Sequence, residues 1–317
     1  MEREELIRRR QEIVKRDGPW TAHNVHLGHG VYTLRHDLRD DAKLRRVVQL
    51  VRDAAGSDLA KLRVLDLACL EGGYALEFAR SAGSVVGIEG RRPSVEKARF
   101  AAEALRLSNV EFLEDDVRNL AVEKHGRFDV VLCLGILYHL DAADACRLVE
   151  SITSVCTRFA VIDTHVGLRG DTVHVHRDRT YRGFTFLEHR LDAGPAERAR
   201  SLWASLDNTT SFWPTRSSLL NLLDRAGFTS IHECLVPVES DKPSDRITLL
   251  AFKGERRPLR NLPEAPARTD AAWLENPRSQ PHPAQRRFAV VRRIVPGSWV
   301  RLARGALRTI MGGRPTT

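Results

Sequence analysis

The sequence predicts an α/β fold: a Rossmann-like, doubly wound, mostly parallel sheet with an antiparallel closing strand. Three observations carry that expectation. Short apolar runs recur at 64–67, 84–89, 110–117, 128–134 and 158–165. Helical patterns separate them, near 93–106 and 142–155, the alternation expected of a parallel sheet. The first run passes through Asp66 into a loop with two adjacent glycines, Gly72 and Gly73, and then a helical pattern with Leu76, Phe78 and Ala79. Strand, glycine turn and helix build a nucleotide-sized crevice at the carboxyl ends of an open sheet.

Before the first strand, residues 1–17 read as a charged amphipathic helix, stopped by Asp17, Gly18 and Pro19. Residues 20–33 read as a loop or strand segment, and 38–55 as a helix leading into the sheet. The segment's histidines, His23, His26 and His29, read as a solvated loop, because no carboxylate completes a metal set. Beyond the fifth strand, 166–213 reads as an irregular insertion at the carboxyl side of the sheet, where a lid or acceptor site belongs. It holds His174, His176, Tyr181, Phe184, His189, Trp203 and Trp213. Such a set suits a flat or sugar-like acceptor, or simply packs the insertion down. A helix at 217–226 and an antiparallel pair, 231–236 and 246–252, close the fold. Residues 255–285 read as a Pro/Arg-rich linker. The domains expected are therefore 1–57 (N-terminal helices and covering segment), 58–254 (core with its insertion) and 255–317 (linker and basic amphipathic tail).

The charge is concentrated in that tail. Net charge is +9, and the eight arginines from Arg286 onward, with no Asp or Glu among them, supply eight of it. The core is nearly neutral, which weakens a nucleic-acid footprint across its face. Arginines interleaved with Trp299 and Leu302 suggest interfacial helices on an anionic membrane or a protein partner, with RNA contact the rival use of the charge. The cysteines, Cys69, Cys133, Cys146, Cys156 and Cys234, are odd in number and scattered, against a disulfide framework or a zinc site. They suit a reducing, cytoplasmic setting, as do a charged amino terminus and the lack of a membrane-length apolar run.

The crevice needs a ligand. A dinucleotide fold wants G-x-G-x-x-G, and Glu71 beside a pyrophosphate would repel it. A cationic, phosphate-free ligand fits better: S-adenosylmethionine carries a sulfonium and an amino-acid group, so Asp66 and Glu71 are tolerable nearby. Glu89 closes the second strand about 20 residues after the glycine turn, where a ribose diol is expected.

On these residues the chain resembles the class I S-adenosylmethionine-dependent methyltransferases, over roughly 62–254. The resemblance implies that Asp66, Ala68, Cys69, Gly72 and Gly73 hold the methionine part of the cofactor, and that Glu89 accepts the ribose hydroxyls. Asp116 and Val117 would read the adenine edge, and Leu134 and Gly135 would line the cofactor. Ala68 stands where Asp-x-Gly-Cys-x-x-Gly has its first glycine. Leu137-Tyr138-His139, and the stretch from Ser211-Phe212-Trp213-Pro214 into Ala226-Gly227-Phe228, are similar to the wobble-uridine tRNA methyltransferases and their relatives. Some of those relatives act on small molecules and glycans. The resemblance further implies that Trp20, Asn24 and Tyr32 line the covered pocket; by their place at the sheet end and in the insertion, Tyr138, His165, Tyr181 and Trp213 are expected on the acceptor side.

Methyl transfer from a sulfonium is an in-line displacement in which the protein mostly aligns the partners and excludes water. An oxygen acceptor benefits from a base, and His139, following the fourth strand, is the candidate. Its competing role is to orient the loop before Asp141, a good N-cap. Tyr138 and His165 are secondary candidates. A metal set of Asp163, His165 and His174 or His176 is not expected. The expectation is thus O-methylation of a small molecule or glycan. The alternatives are tRNA wobble-uridine modification and a non-catalytic scaffold recruited through the tail. The tRNA group uses a carboxylated cofactor that needs extra cations, for which only Arg91, Arg92 and Arg182 present themselves.

Overall fold

A computed structural model describes residues 1–34, 42–56, 59–190, 192–235 and 242–255. The predicted linker and tail, except Glu255, lie outside the described residues. Helix α1 (Arg3–Asp17) ends where Gly18 takes φ 81° before Pro19. A two-stranded ribbon, β1 (His26–Gly28) and β2 (Val31–Tyr32), precedes α2 (Ala42–Ala55). The core then alternates: β3 (Arg63–Leu67), α3 (Gly73–Ala79), β4 (Ser84–Glu89), α4 (Arg92–Ala104) and β5 (Val110–Glu114). It continues through α5 (Val122–His125), β6 (Phe128–Leu134), α6 (Ala142–Val155) and β7 (Cys156–His165). The insertion contributes β8 (Thr172–His176), β9 (Arg179–Leu187), α7 (Pro195–Arg200) and β10 (Thr210–Pro214). Helix α8 (Arg216–Ala226), β11 (Ser230–Glu233) and β12 (Arg246–Phe252) complete the described chain.

The main sheet has seven strands in the order β11-β12-β7-β6-β3-β4-β5. Strands β3 to β7 run parallel, and β12 enters antiparallel between β7 and β11. The chain steps outward from β3 to β5, then returns to place β6 on the other side of β3, so a crevice opens at this reversal. Side-chain alternation sorts the strands between two cores. Val64, Val130, Leu132, Phe159 and Val161 meet Phe78, Phe100 and Val51 on one face. Leu65, Val131, Cys133, Ala160 and Ile162 meet Leu148, Ile152 and Leu223 on the other. Burial on both faces is why these strands read as near-continuous apolar runs.

The insertion differs from the irregular stretch expected: it is a three-stranded antiparallel sheet, ordered β10-β9-β8. The β8–β9 turn is made by Arg177 (φ 43°) and Asp178 (φ 64°), the left-handed pair of a two-residue hairpin. Without an Asn-Gly signature the hairpin is hard to read from sequence.

Left-handed residues also shape the turn from β3 to α3. Ala68 (φ 52°), Leu70 (φ 49°) and Gly72 (φ 78°) all lie there. Gly72 has a second constraint, since a Cβ would fall 2.7 Å from Phe112. Alanine at 68 carries a backbone strain that glycine would relieve, offset in part by the extra freedom glycine adds to the unfolded chain. Ala68→Gly is therefore expected to stabilise the fold by about 0.5–1 kcal/mol, read as a higher urea midpoint at constant m. Loss of stability would contradict the strain.

Candidate functional site

Carboxylates at the carboxyl ends of β3 and β4 bind backbone. Asp66 is fully buried, and one oxygen accepts the Ala75 N–H at 3.1 Å. Burial pushes its carboxyl up to about 7, with Glu89 adding to the rise and the Ala75 N–H and Lys43 opposing it. Glu89 accepts Leu70 N–H at 3.0 Å on one oxygen and Arg91 N–H at 2.8 Å on the other. Burial raises its carboxyl as well, against those two N–H groups. Cys69 is buried in the core, its N–H given to Ile88 O at 3.0 Å.

Glu71 does not border the crevice as the sequence suggested. Its oxygens accept N–H from Thr21, Ala22 and His23 at 2.7, 2.9 and 3.1 Å, and Lys97 Nζ lies at 3.6 Å. In the segment it holds, His23 Nδ1 accepts the Gly73 N–H at 3.1 Å. His23 therefore packs on the glycine turn instead of being solvated; a Cβ on Gly73 would fall 2.5 Å from its ring.

Trp20 departs from its expected lining role: it is buried, 6.0 Å from the Phe100 ring, behind α4. Asn24 Oδ1 accepts Leu34 N–H at 3.2 Å, and Tyr32 stacks on His26 at 4.6 Å, so both hold the ribbon together. Tyr181 is also a correction. It belongs to the second core, with Arg225 as hydrogen-bond partner, and burial raises its hydroxyl. Strand alternation turned the wrong face of β9 towards the expectation.

At the β5 end, Asp116 caps the following turn by accepting Arg118 N–H at 2.8 Å, and its carboxylate pairs with the Arg118 guanidinium at 2.5 Å. Arg118 also reaches Asp207 of the insertion at 2.7 Å. Val117 is buried among apolar side chains. The insertion thus covers the β4 and β5 ends. Arg91 donates to the carbonyls of Ser201 and Ala204 at 3.1 and 2.9 Å, and Leu206 sits 2.6 Å from where a Gly90 Cβ would be.

At the β6 end the polypeptide turns at Gly135 (φ 102°), whose N–H donates to Asp163 O at 2.9 Å; Leu134 precedes it. The 3-10 turn Leu137–His139 follows. His139 Nδ1 lies 2.9 Å from Glu188 Oε2, a residue the sequence reading did not single out. Glu188 has a 1% exposed side chain and also accepts Ser205 N–H at 3.0 Å and the Ser211 hydroxyl at 2.6 Å. An ionised carboxylate only accepts, so this arrangement puts the proton on Nδ1 and leaves Nε2 with a lone pair. Around the pair, Trp213 stacks on Phe186 at 4.6 Å and on His165 at 4.7 Å, and its indole N–H donates to Tyr138 O at 2.9 Å. Tyr138, His139, His165 and Trp213 are brought together. Asp245 takes His165 Nδ1 at 3.1 Å.

The cations differ from those expected. Asp163, 1% exposed, receives Arg246 at 2.6 Å, Lys43 at 3.1 Å and Lys242 at 3.4 Å. Burial alone would raise its carboxyl, but Lys43, Arg246, the Thr248 hydroxyl and Lys242 hold it well below the carboxylate range. Arg246 also lies 5.6 Å from the Tyr138 ring. Arg91 is taken by the insertion, and Arg182 packs against Gly170.

Residues 64–158 match the methyltransferase domain family. Over 88 residues the chain is 33% identical to the ubiquinone biosynthesis O-methyltransferase of Acinetobacter baylyi, covering 28% of this chain and 37% of that protein. Over 74 residues it is 50% identical to the 23S rRNA (uracil(1939)-C(5))-methyltransferase RlmD of Klebsiella pneumoniae, covering 22% of this chain and 17% of that protein. The chain thus aligns with less than half the length of these curated relatives. The N-terminal domain of EvdMO1, solved in the presence of SAH and D-fucose, superposes with a TM-score of 0.61 at 25% identity, covering 80% of this chain and 98% of that one. The domain match and this sheet order identify residues 64–158 as part of an S-adenosylmethionine-dependent methyltransferase domain with the class I fold. Among the described residues no helix is long and apolar enough to cross a membrane.

The crevice suits a cationic cofactor: Asp66 is a buried carboxyl held partly protonated near neutrality. In folding, the unfolded chain releases this proton near the ordinary aspartate value, so Asp66 lowers stability as pH rises from about 4 to about 7. A bound cation reverses the preference and favours the anion. S-adenosylmethionine is therefore expected to bind about tenfold less tightly for each pH unit below 7, with proton release on binding. Calorimetry in buffers of different ionisation enthalpy checks this, and Asp66→Asn should remove the pH dependence.

Proposed function

We propose that the protein transfers the methyl group of S-adenosylmethionine to a hydroxyl oxygen of a sugar or sugar-bearing small molecule. The observation that carries this reading is the His139–Glu188 pair at the β6 end, enclosed by Trp213, Phe186, Tyr138 and His165. When bound, the sulfonium donor supplies an electrophilic methyl and a neutral thioether leaving group. Asp66, Glu89 and the backbone of the glycine turn and Gly135 would hold it; SAH in the EvdMO1 structure supports the cofactor class. His139 Nε2 takes the acceptor proton as the new O–C bond forms. Glu188 holds the ring's orientation and offsets the imidazolium charge. The aromatic walls exclude water and offer flat apolar faces to a sugar ring. D-fucose in the EvdMO1 structure supports a sugar acceptor, and the ubiquinone O-methyltransferase match supports transfer to oxygen.

A second reading, transfer from a carboxylated donor to tRNA uridine, has one observation in its favour. Lys43, Lys242 and Arg246 bring three cations to the single carboxylate of Asp163, next to Gly135 and Tyr138. Calorimetry with both donors separates the two: preferential binding of the carboxylated form would displace the sugar reading.

Turnover of S-adenosylmethionine against glycosylated small molecules and against RNA, followed by product mass, tests the main reading. A one-methyl gain on a sugar supports it; a gain only on RNA rejects it. His139→Asn is expected to lower kcat by about 10²–10⁴-fold while cofactor affinity stays unchanged. Glu188→Gln is expected to lower kcat while cofactor affinity and melting temperature stay unchanged; a purely structural Glu188 would lower the melting temperature as well.

A further inference from the structure

On the far side of the insertion from His139, β8 carries His174 and His176, which share one face of the strand because they are two apart. That face meets α6, where Cys146 and Glu150 stand one turn apart on the same side. Ligand atoms of Cys146, His174 and His176 all lie within 4.8 Å of one another. The Cys146 thiol is buried, and the burial pushes it up to about 12. His174 Nε2 is buried with no hydrogen-bond partner, and burial together with His176 keeps its ring neutral. His176 Nε2 lies 2.9 Å from Glu150 Oε1, and Arg177 supports that carboxylate at 3.0 Å.

We propose that Cys146, His174 and His176 form a zinc site that fastens the inserted sheet to α6. One thiolate and two imidazoles are a borderline-soft donor set that zinc accepts, with a fourth position left for water. Bond lengths of about 2.0–2.3 Å imply ligand atoms about 3.3–3.8 Å apart in a tetrahedral set, so side-chain rotation of about an ångström closes the cluster. Glu150 occupies the place of a supporting carboxylate: by accepting the Nε2 proton of His176 it fixes the tautomer whose Nδ1 is free to bind metal. The orphaned Nε2 of His174 gains the partner that the protein does not give it. Binding balances as one zinc ion in and the Cys146 thiol proton out, since only the thiolate ligates.

The placement has a structural consequence. Helix α6 starts at Ala142, three residues after His139, and β9 runs from the β8 hairpin directly to Glu188. A metal between α6 and β8 therefore ties together the two chain segments that bring His139 and Glu188 into contact. The proposal does not depend on the acceptor assigned above.

The full-length chain, stripped with a chelator, is titrated with zinc in competition with a chromophoric chelator. The cobalt form is examined by absorption spectroscopy. Expected are one zinc per chain, a higher melting temperature with zinc, and a thiolate-to-cobalt charge-transfer band. Cys146→Ser should abolish the band and weaken zinc binding by about 100-fold or more. His174→Asn, made separately in case the first variant folds poorly, should weaken zinc to a similar degree. Cys234→Ser should change neither. Failure of the stripped wild-type chain to bind zinc would overturn the proposal, as would a band that survives in Cys146→Ser or disappears in Cys234→Ser.

Discussion

The turn between β3 and α3 is the constraint on which the rest of the structure depends. Its left-handed residues reverse the backbone within a few positions and leave amide groups turned towards nearby carboxylates. Asp66 binds the first turn of α3, Glu89 binds the turn itself from the neighbouring strand, and Glu71 binds the covering segment. Each is a charge-assisted bond in a place with little water, where a carboxylate without partners would be costly. Asp66 is the least compensated of these carboxylates. That makes it both a cost in the free chain and an attraction for a cation.

The insertion supplies the second half of the site. It arrives by a hairpin, crosses the sheet ends and delivers Glu188 to His139 with Ser205 and Ser211 as further donors. Glu188 has three donors and little solvent, so it is fixed as an acceptor. A fixed acceptor selects the imidazole tautomer, and the tautomer leaves the outer nitrogen basic. The same insertion, through Arg91 and Arg118, closes on the β4 and β5 ends. The β4, β5 and β6 ends are thus all met by one continuous stretch of chain.

The strands, their order along the chain and the glycine turn were legible in sequence because apolar runs buried on both faces leave a plain composition signal. The placement of Glu89, Gly135 and His139 at the ends of their strands was legible too. Glu188 was not, because nothing in Leu187-Glu188-His189 distinguishes an orienting carboxylate from a surface one. Trp20, Asn24, Tyr32 and Tyr181 were placed by their type and neighbourhood, which say nothing of the face a side chain occupies. The three cations at Asp163 come from α2, β12 and the residues before β12, too far apart in sequence to form a pattern.

The sequence by itself determined the fold class, the crevice at the reversal of strand order and the character of its ligand. These follow from local periodicity and from the conformations that glycine and short polar residues permit. Tertiary structure alone decided which backbone groups each buried carboxylate binds, that Glu188 meets His139, and that Cys146 meets the His174 and His176 pair. Such pairings join residues dozens of positions apart, and their register is set by how helices and strands pack, which no local pattern encodes.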